Sequence, residues 1–199
     1  SGNPNILLLD KQTGKVEWQH ALEKGEECNA VALTRKGEIL YSYKRGAKLV
    51  TWDHQVVWDY KTPDKTELQS ATLLQNGGVL LGICGVPAQF IELDKKGKEV
   101  NKVTLNLEVE RPHSQFRQIF QLRNSNYLIP VMAKQKVLEV SRKGKIIAEH
   151  QIEGKAFSSL ELPDENLLLP CGDNHCYIVI DRKTGEELKR VNALDIEGV

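Results

Sequence analysis

The sequence predicts an all-β protein, a β-propeller of four-stranded antiparallel blades, and three observations predict it. A motif of apolar strand, acidic or small residue, basic turn and second apolar strand returns about every forty residues, the signature of a repeat architecture. A second hairpin motif interleaves with it, so each period holds two hairpins, hence four strands. The runs between turns are rich in Val, Ile, Leu and Tyr, which suit a half-buried pleated surface.

In chain order, the first motif opens as Ile6-Leu7-Leu8-Leu9-Asp10 and turns at Gly14 towards Trp18. It returns around Asp53, Asp94, Ser141 and Asp181, at intervals of 43, 41, 47 and 40 residues. The second motif begins at Gly37, Gly78, Asn126 and Asn166, at intervals of 41, 48 and 40, the same rhythm with the same long interval. The blades therefore read 29–60, 69–104, 115–151 and 155–190, all within one domain spanning 1–199. Residues 4–22 match only the outer half of a blade, and 191–199 offer at most one short strand as the start of a further blade. Propellers remove exposed sheet edges by closing on themselves, so a chain with four to five blades and a half-blade is expected to be part of a six- or seven-bladed ring. The small polar start Ser1-Gly2-Asn3-Pro4, without an initiator Met, is expected of a processed or trimmed chain.

Composition excludes several classes. Lys plus Arg and Asp plus Glu number 27 each, so there is no net field to hold nucleic acid. The basic runs at 95–98 and 142–145 each carry a Gly and read as solvated hairpin turns, and Asp164-Glu165 reads as a turn as well. No apolar run is long enough for a membrane span. Four cysteines are too few for a disulfide scaffold and lack zinc spacing, so no metal site is expected. Cys171 and Cys176 bracket the turn residues Gly172-Asp173-Asn174-His175, which places two sulfurs across a hairpin; a disulfide and two unbonded thiols are both open there.

The run Asp10-x-x-Thr13-Gly14-Lys15-x-x-Trp18 resembles the core of the PQQ-like (quinoprotein-type) propeller repeat, and Asp181-x-x-Thr184-Gly185-Glu186 repeats it without the Trp. The resemblance implies that Trp18 and Trp58 dock neighbouring blades. Quinone-dependent members of that superfamily carry adjacent cysteines, and this chain has no such pair, so the fold carries over and PQQ or another cofactor does not. A weaker similarity, to arylsulfotransferase-like propellers, rests on Val56-Val57-Trp58-Asp59-Tyr60 and on Leu74-Gln75-Asn76-Gly77-Gly78-Val79-Leu80. It implies a His nucleophile with basic neighbours, and His113 is the histidine at the equivalent place in the next blade. The resemblance and the open Cys171–Cys176 pair together suggest a periplasmic, cell-surface or secreted location.

The loops leading into the innermost strands gather at one mouth of a propeller channel. These loops hold Asn29, Gln69, the polar run from Arg111 to Gln118, and Ser158. His113, Gln115, Arg117 and Gln118 combine a titratable donor, amides and a fixed cation, a set suited to anionic or polyhydroxylated ligands. The same run also reads as a plain channel-lining strand with alternating faces. His20, His54 and His150 read as surface residues of outer strands, and His175 as a hairpin tip. The function expected is a non-catalytic propeller binding a carbohydrate-like polar ligand or a protein partner. The alternative is an arylsulfotransferase-like or other enzyme built around His113 and Arg117.

Overall fold

A computed structural model of the chain describes residues 5–192. It is all-β apart from three single-turn 3-10 segments. A hairpin of β1 (Asn5–Leu9) and β2 (Val16–Ala21) precedes four blades. Blade 1 holds β3 (Cys28–Leu33), β4 (Ile39–Tyr43), β5 (Gly46–Val50) and β6 (Val56–Lys61). Blade 2 holds β7 (Glu67–Leu73), β8 (Val79–Cys84), β9 (Ala88–Leu93) and β10 (Glu99–Leu105). Blade 3 holds β11 (Phe120–Gln121), β12 (Tyr127–Val131), β13 (Lys136–Val140) and β14 (Ile146–Gln151). Blade 4 holds β15 (Leu160–Glu161), β16 (Leu167–Cys171), β17 (Cys176–Ile180) and β18 (Glu187–Asn192). Each blade is an antiparallel meander in sequence order, the arrangement expected of a propeller.

The core lies between sheets rather than within them. Strands β4, β5, β8 and β12 are buried at every position, on both faces, as sheets stacked on two sides must be. One apolar cluster joins Leu40, Leu49 and Trp58 of blade 1 to Leu81 and Ile91 of blade 2. Another joins Leu80 and Phe90 of blade 2 to Ile129 and Leu138 of blade 3. The outer strands alternate exposed and covered residues, because only one of their faces meets a neighbour.

Side chains on each outer strand also clasp the second turn of the following blade. Trp18 donates its indole N–H to the Trp52 carbonyl at 2.8 Å, Asn101 donates to the Arg142 carbonyl at 3.0 Å, and His150 Nε2 donates to the Arg182 carbonyl at 2.8 Å. Trp58 packs against the turn at Gly97, where an added Cβ would stand 2.6 Å from the indole and φ is +80°. Both tryptophans therefore dock neighbouring sheets, as the repeat implied.

Several of these expectations need correction, and the structure adds the state of the Cys171–Cys176 pair, left open by the sequence. The anchor in blade 1 is Thr51, not Asp53: the Thr51 N–H donates to the Gln55 carbonyl as Asp94 does to Lys98 and Ser141 to Lys145. His54 then stands at the left-handed position that glycine holds in the other copies, with φ of +65°. Blades 3 and 4 begin at Phe120 and Leu160 rather than 115 and 155, because Pro112 starts a 3-10 turn and the backbone up to Ile119 pairs with loops. The 115–118 run is thus not a channel-lining strand. Of the three histidines expected on the surface of outer strands, His20 and His150 are half-buried and His54 is exposed. Cys171 and Cys176 face each other in register as cross-strand partners, and both are free thiols. The expected further strand at 191–199 is described only to Asn192, where β18 ends, and the remainder lies outside the described residues.

Candidate functional site

Alternate connections of an antiparallel meander lie at opposite ends of the blade. The loops before β7 and β11 therefore share one end with the tight β4–β5 turn, and four side chains meet there. Glu67, the first residue of β7, accepts from His113 Nδ1 at 3.0 Å, from Gln69 Nε2 at 3.1 Å and from Lys44 Nζ at 3.3 Å. Lys44 comes from blade 1, Gln69 from blade 2, and His113 from the 3-10 turn leading into blade 3. Burial pushes the Glu67 carboxyl up, but the hydrogen bonds from His113 and Lys44 outweigh it and hold the group below the ordinary carboxylate range. His113 itself remains largely open to solvent, its side chain 57% exposed.

The remaining predicted residues separate into two roles. Arg117 turns back on its own loop and donates to the His113 carbonyl at 2.6 Å, fixing the turn that presents the imidazole. Gln115 is fully buried: it accepts from the Gly85 N–H at 2.9 Å and donates to the Gly85 and Val109 carbonyls. It is a strut of the loop, not a ligand group, which corrects its expected role. Gln118 accepts from the Ser158 hydroxyl at 3.0 Å and donates its backbone N–H to Phe157, tying blade 3 to blade 4. Asn29 donates to the Leu68 carbonyl at 2.8 Å and ties blade 1 to blade 2. The structure therefore brings His113, Gln69 and Arg117 together and leaves Asn29, Gln118 and Ser158 as blade ties.

Sequence reasoning misses Lys44 and Glu67. Glu67 stands two residues before Gln69 at the start of the same strand, the one signal that was available. Lys44 could be placed only by knowing which end of blade 1 adjoins the loop before blade 3.

A separate ionic cluster is buried beside the first hairpin. Lys48, only 3% exposed, donates to Glu23 at 2.6 Å and Glu26 at 2.7 Å. Burial lowers the ammonium pKa, but the two carboxylates more than restore it and hold it above the usual lysine range. The group is a fixed cation that balances the buried Glu26 and is met from the solvent side by the exposed Glu23. Among the described residues no group of three or more metal-ligating side chains is found.

This arrangement of blades and loops is shared with known proteins. A family model described as Mal s 1 allergenic protein-like matches residues 3–199. The chain belongs to this family. The Mal s 1-like match replaces the quinoprotein-type repeat as the family shown, while the propeller architecture common to both stands. No curated protein matches the sequence. A protein of unknown function from Bacteroides caccae is 40% identical with a TM-score of 0.93, covering 100% of this chain and 73% of its own. A catalytically inactive His-to-Ala variant of virginiamycin B lyase from Staphylococcus aureus, solved with quinupristin, superposes with a TM-score of 0.71 at 14% identity. A streptogramin B lyase structure does so with 0.74 at 13%. Both lyase likenesses show the fold alone, and this chain spans 61% of either lyase chain.

Proposed function

We propose that this Mal s 1-like chain is a binding propeller that takes a polar or anionic ligand of the carbohydrate type at the mouth formed by Lys44, Glu67, Gln69 and His113. The observation that carries the reading is the Glu67 carboxylate, which gathers donors from blade 1, blade 2 and the loop before blade 3. A carboxylate acceptor ringed by exchangeable imidazole, amide and ammonium donors matches the mixed donor and acceptor pattern of a hydroxylated ligand. Arg117 supports the site by holding the loop.

A second reading is catalysis, favoured by the same contact. Glu67 beside Nδ1 orients the imidazole, which is how a carboxylate prepares a histidine for general acid–base work. The virginiamycin B lyase variant, inactive once a histidine is removed, makes a catalytic histidine on this fold plausible chemistry. Sulfuryl transfer is less well supported, since Arg117 spends its N–H on the His113 carbonyl. No Ser or Cys bonds to His113 among the described residues.

Thermal shift of the protein and of its His113→Ala and Glu67→Gln variants against sugars and sulfate esters tests both readings. A ligand at about 100 times its Kd adds about 2.7 kcal/mol, roughly 5–10 °C in a domain of this size. A shift lost in both variants supports the site. No shift with any ligand sinks it in favour of a protein-binding surface, and turnover abolished by His113→Ala establishes the enzyme.

The same reading holds that the chain works without a quinone cofactor, outside the cytoplasm, in a periplasm or at a cell surface. Its supports are the absence of adjacent cysteines and the resemblance of Asp10 to Trp18 to the quinoprotein-type repeat. An absorbance spectrum of the purified protein and cell fractionation test the two points.

A further inference from the structure

Each pair of successive blades meets at the turns opposite the proposed mouth, and strand register lets the meetings be compared position by position. Between blades 3 and 4 the meeting is ionic. Glu139, paired in register with Leu128 and Ala148, takes two hydrogen bonds from Arg182. Glu161 takes a third, and Arg123 caps the carbonyls of Leu162 and Pro163. Between blades 2 and 3 Glu92 holds the equivalent place and binds Arg142 and the Tyr127 hydroxyl.

Between blades 1 and 2 the basic partners remain and the acids are gone. The register that pairs Glu139 with Leu128 and Ala148 pairs Leu49 with Leu40 and Trp58, so leucine replaces the first glutamate. Leu73 pairs with Val79 as Glu161 pairs with Leu167, so leucine replaces the second. Arg35 follows its turn anchor as Arg123 does, and Lys95 follows its own as Arg182 does. Among the described residues neither side chain has a hydrogen bond or ion pair. The acids beside them are engaged: Glu38 accepts from the Thr34 hydroxyl, and Asp94 accepts from the N–H groups of Lys96 and Lys98.

Loss of the clasp leaves a groove of about 470 Å³ with Leu49, Trp58, Leu73 and Val79 in its lining and Arg35 and Lys95 at its rim. That is ample for a small organic molecule. Trp58 is 8% exposed, and its indole nitrogen is buried with no hydrogen-bond partner. At the same register Trp18 and Asn101 both donate to the next blade. An apolar slot under two unpaired cations is complementary to one kind of ligand.

We propose that this groove binds a small aryl carboxylate, whose ring lies against Leu49, Trp58 and Leu73 and whose oxygens take the free charges of Arg35 and Lys95. The ligand carboxylate supplies what Glu139 and Glu161 supply two interfaces further on. The site is independent of the channel mouth.

Titration calorimetry with 2-naphthoate tests it, with 2-naphthamide as the uncharged control. Saturable binding of the carboxylate is expected, about tenfold weaker for the amide and for the Arg35→Gln/Lys95→Gln pair, and unchanged in His113→Ala. Leu73→Glu restores the missing acid within the protein and is expected to abolish binding while raising Tm. It keeps the test decisive should the Arg35→Gln/Lys95→Gln pair fail to fold. Absence of saturable binding at millimolar naphthoate overturns the proposal. So does equal affinity in the wild type and in the Arg35→Gln/Lys95→Gln variant.

Discussion

Arg182 closes two edges of its guanidinium on the Glu139 carboxylate, Nε to Oε2 and Nη2 to Oε1, each at 2.9 Å. Planar, two-point pairing of this kind is strong where water is scarce, and Glu139 is 8% exposed. Truncating Arg182 to Ala leaves a buried carboxylate with only amide partners, and a loss of about 2–3 kcal/mol is expected by urea denaturation. The pair also sets an acid limit. Burial raises the Glu139 carboxyl, but the bonds from Arg182, Asn126 and Asn124 prevail and lower it from 4.5 to about 2. A depressed folded pKa means stability that is whole above about pH 4.5 and is lost as pH falls towards about 2. The Glu139→Gln variant is expected to show a shallower decline of Tm over that window.

Gly97 and Gly14 share a turn position and a left-handed backbone but differ in surroundings. An added Cβ at Gly97 meets the Trp58 ring at 2.6 Å, whereas at Gly14 nothing lies within 4 Å. Gly14→Ala therefore tests backbone strain alone, at about 1 kcal/mol. Gly97→Ala adds a steric clash in a packed interface and is expected to cost about 2 kcal/mol or more. Equal losses in chemical denaturation would show that Trp58 yields without cost.

The contact between His113 and Glu67 is exposed on the histidine side, so its structural worth is small. A double-mutant cycle with His113→Ala and Glu67→Gln is expected to give a coupling of at most about 1 kcal/mol. A coupling well above that value would make the pair a fold element, and ligand loss in the variants would no longer report on a site.

His20 and His54 stand with their Nδ1 atoms 3.2 Å apart, and both rings stack on Trp18. One proton serves this contact well and two repel. Burial first, then His54 and Lys48, lowers the His20 pKa below 6.5, with Glu26 and Glu23 opposing. The unfolded chain thus binds the proton more readily, so this contribution is whole above about pH 6.5 and is lost as pH falls below it. Tm recorded from pH 7.5 to 5.5 should decline less in a His20→Gln variant.

The four thiols should separate by exposure. Burial pushes Cys84 up to about 12 and Cys171 up to about 11, and both are enclosed, as is Cys176. Cys28 alone is exposed. An aromatic disulfide reagent is expected to label one thiol in the native protein and four on unfolding. Rapid native labelling of a second thiol would mean that the Cys171–Cys176 hairpin opens readily.

Strand runs, turn residues and the period of the repeat are local properties, so the blade count, the hairpin order and the docking role of Trp18 were legible from the sequence. Local reasoning failed where a position is defined by its neighbours in space. His54 has the backbone of a glycine and was invisible as such, because its turn is identified by the Thr51 to Gln55 hydrogen bond and not by composition. Gln115 and His113 look alike in sequence, yet one is buried and spent on Gly85 in the β8–β9 turn and the other stays open to solvent on Glu67, 46 residues away. The substitution of Leu49 for the glutamate of later blades has meaning only once register aligns them. What the sequence by itself determined was the repeating unit, since pleat and turn act over a few residues. What only the tertiary structure decided was which polar groups find partners, because that depends on how one sheet is stacked against the next.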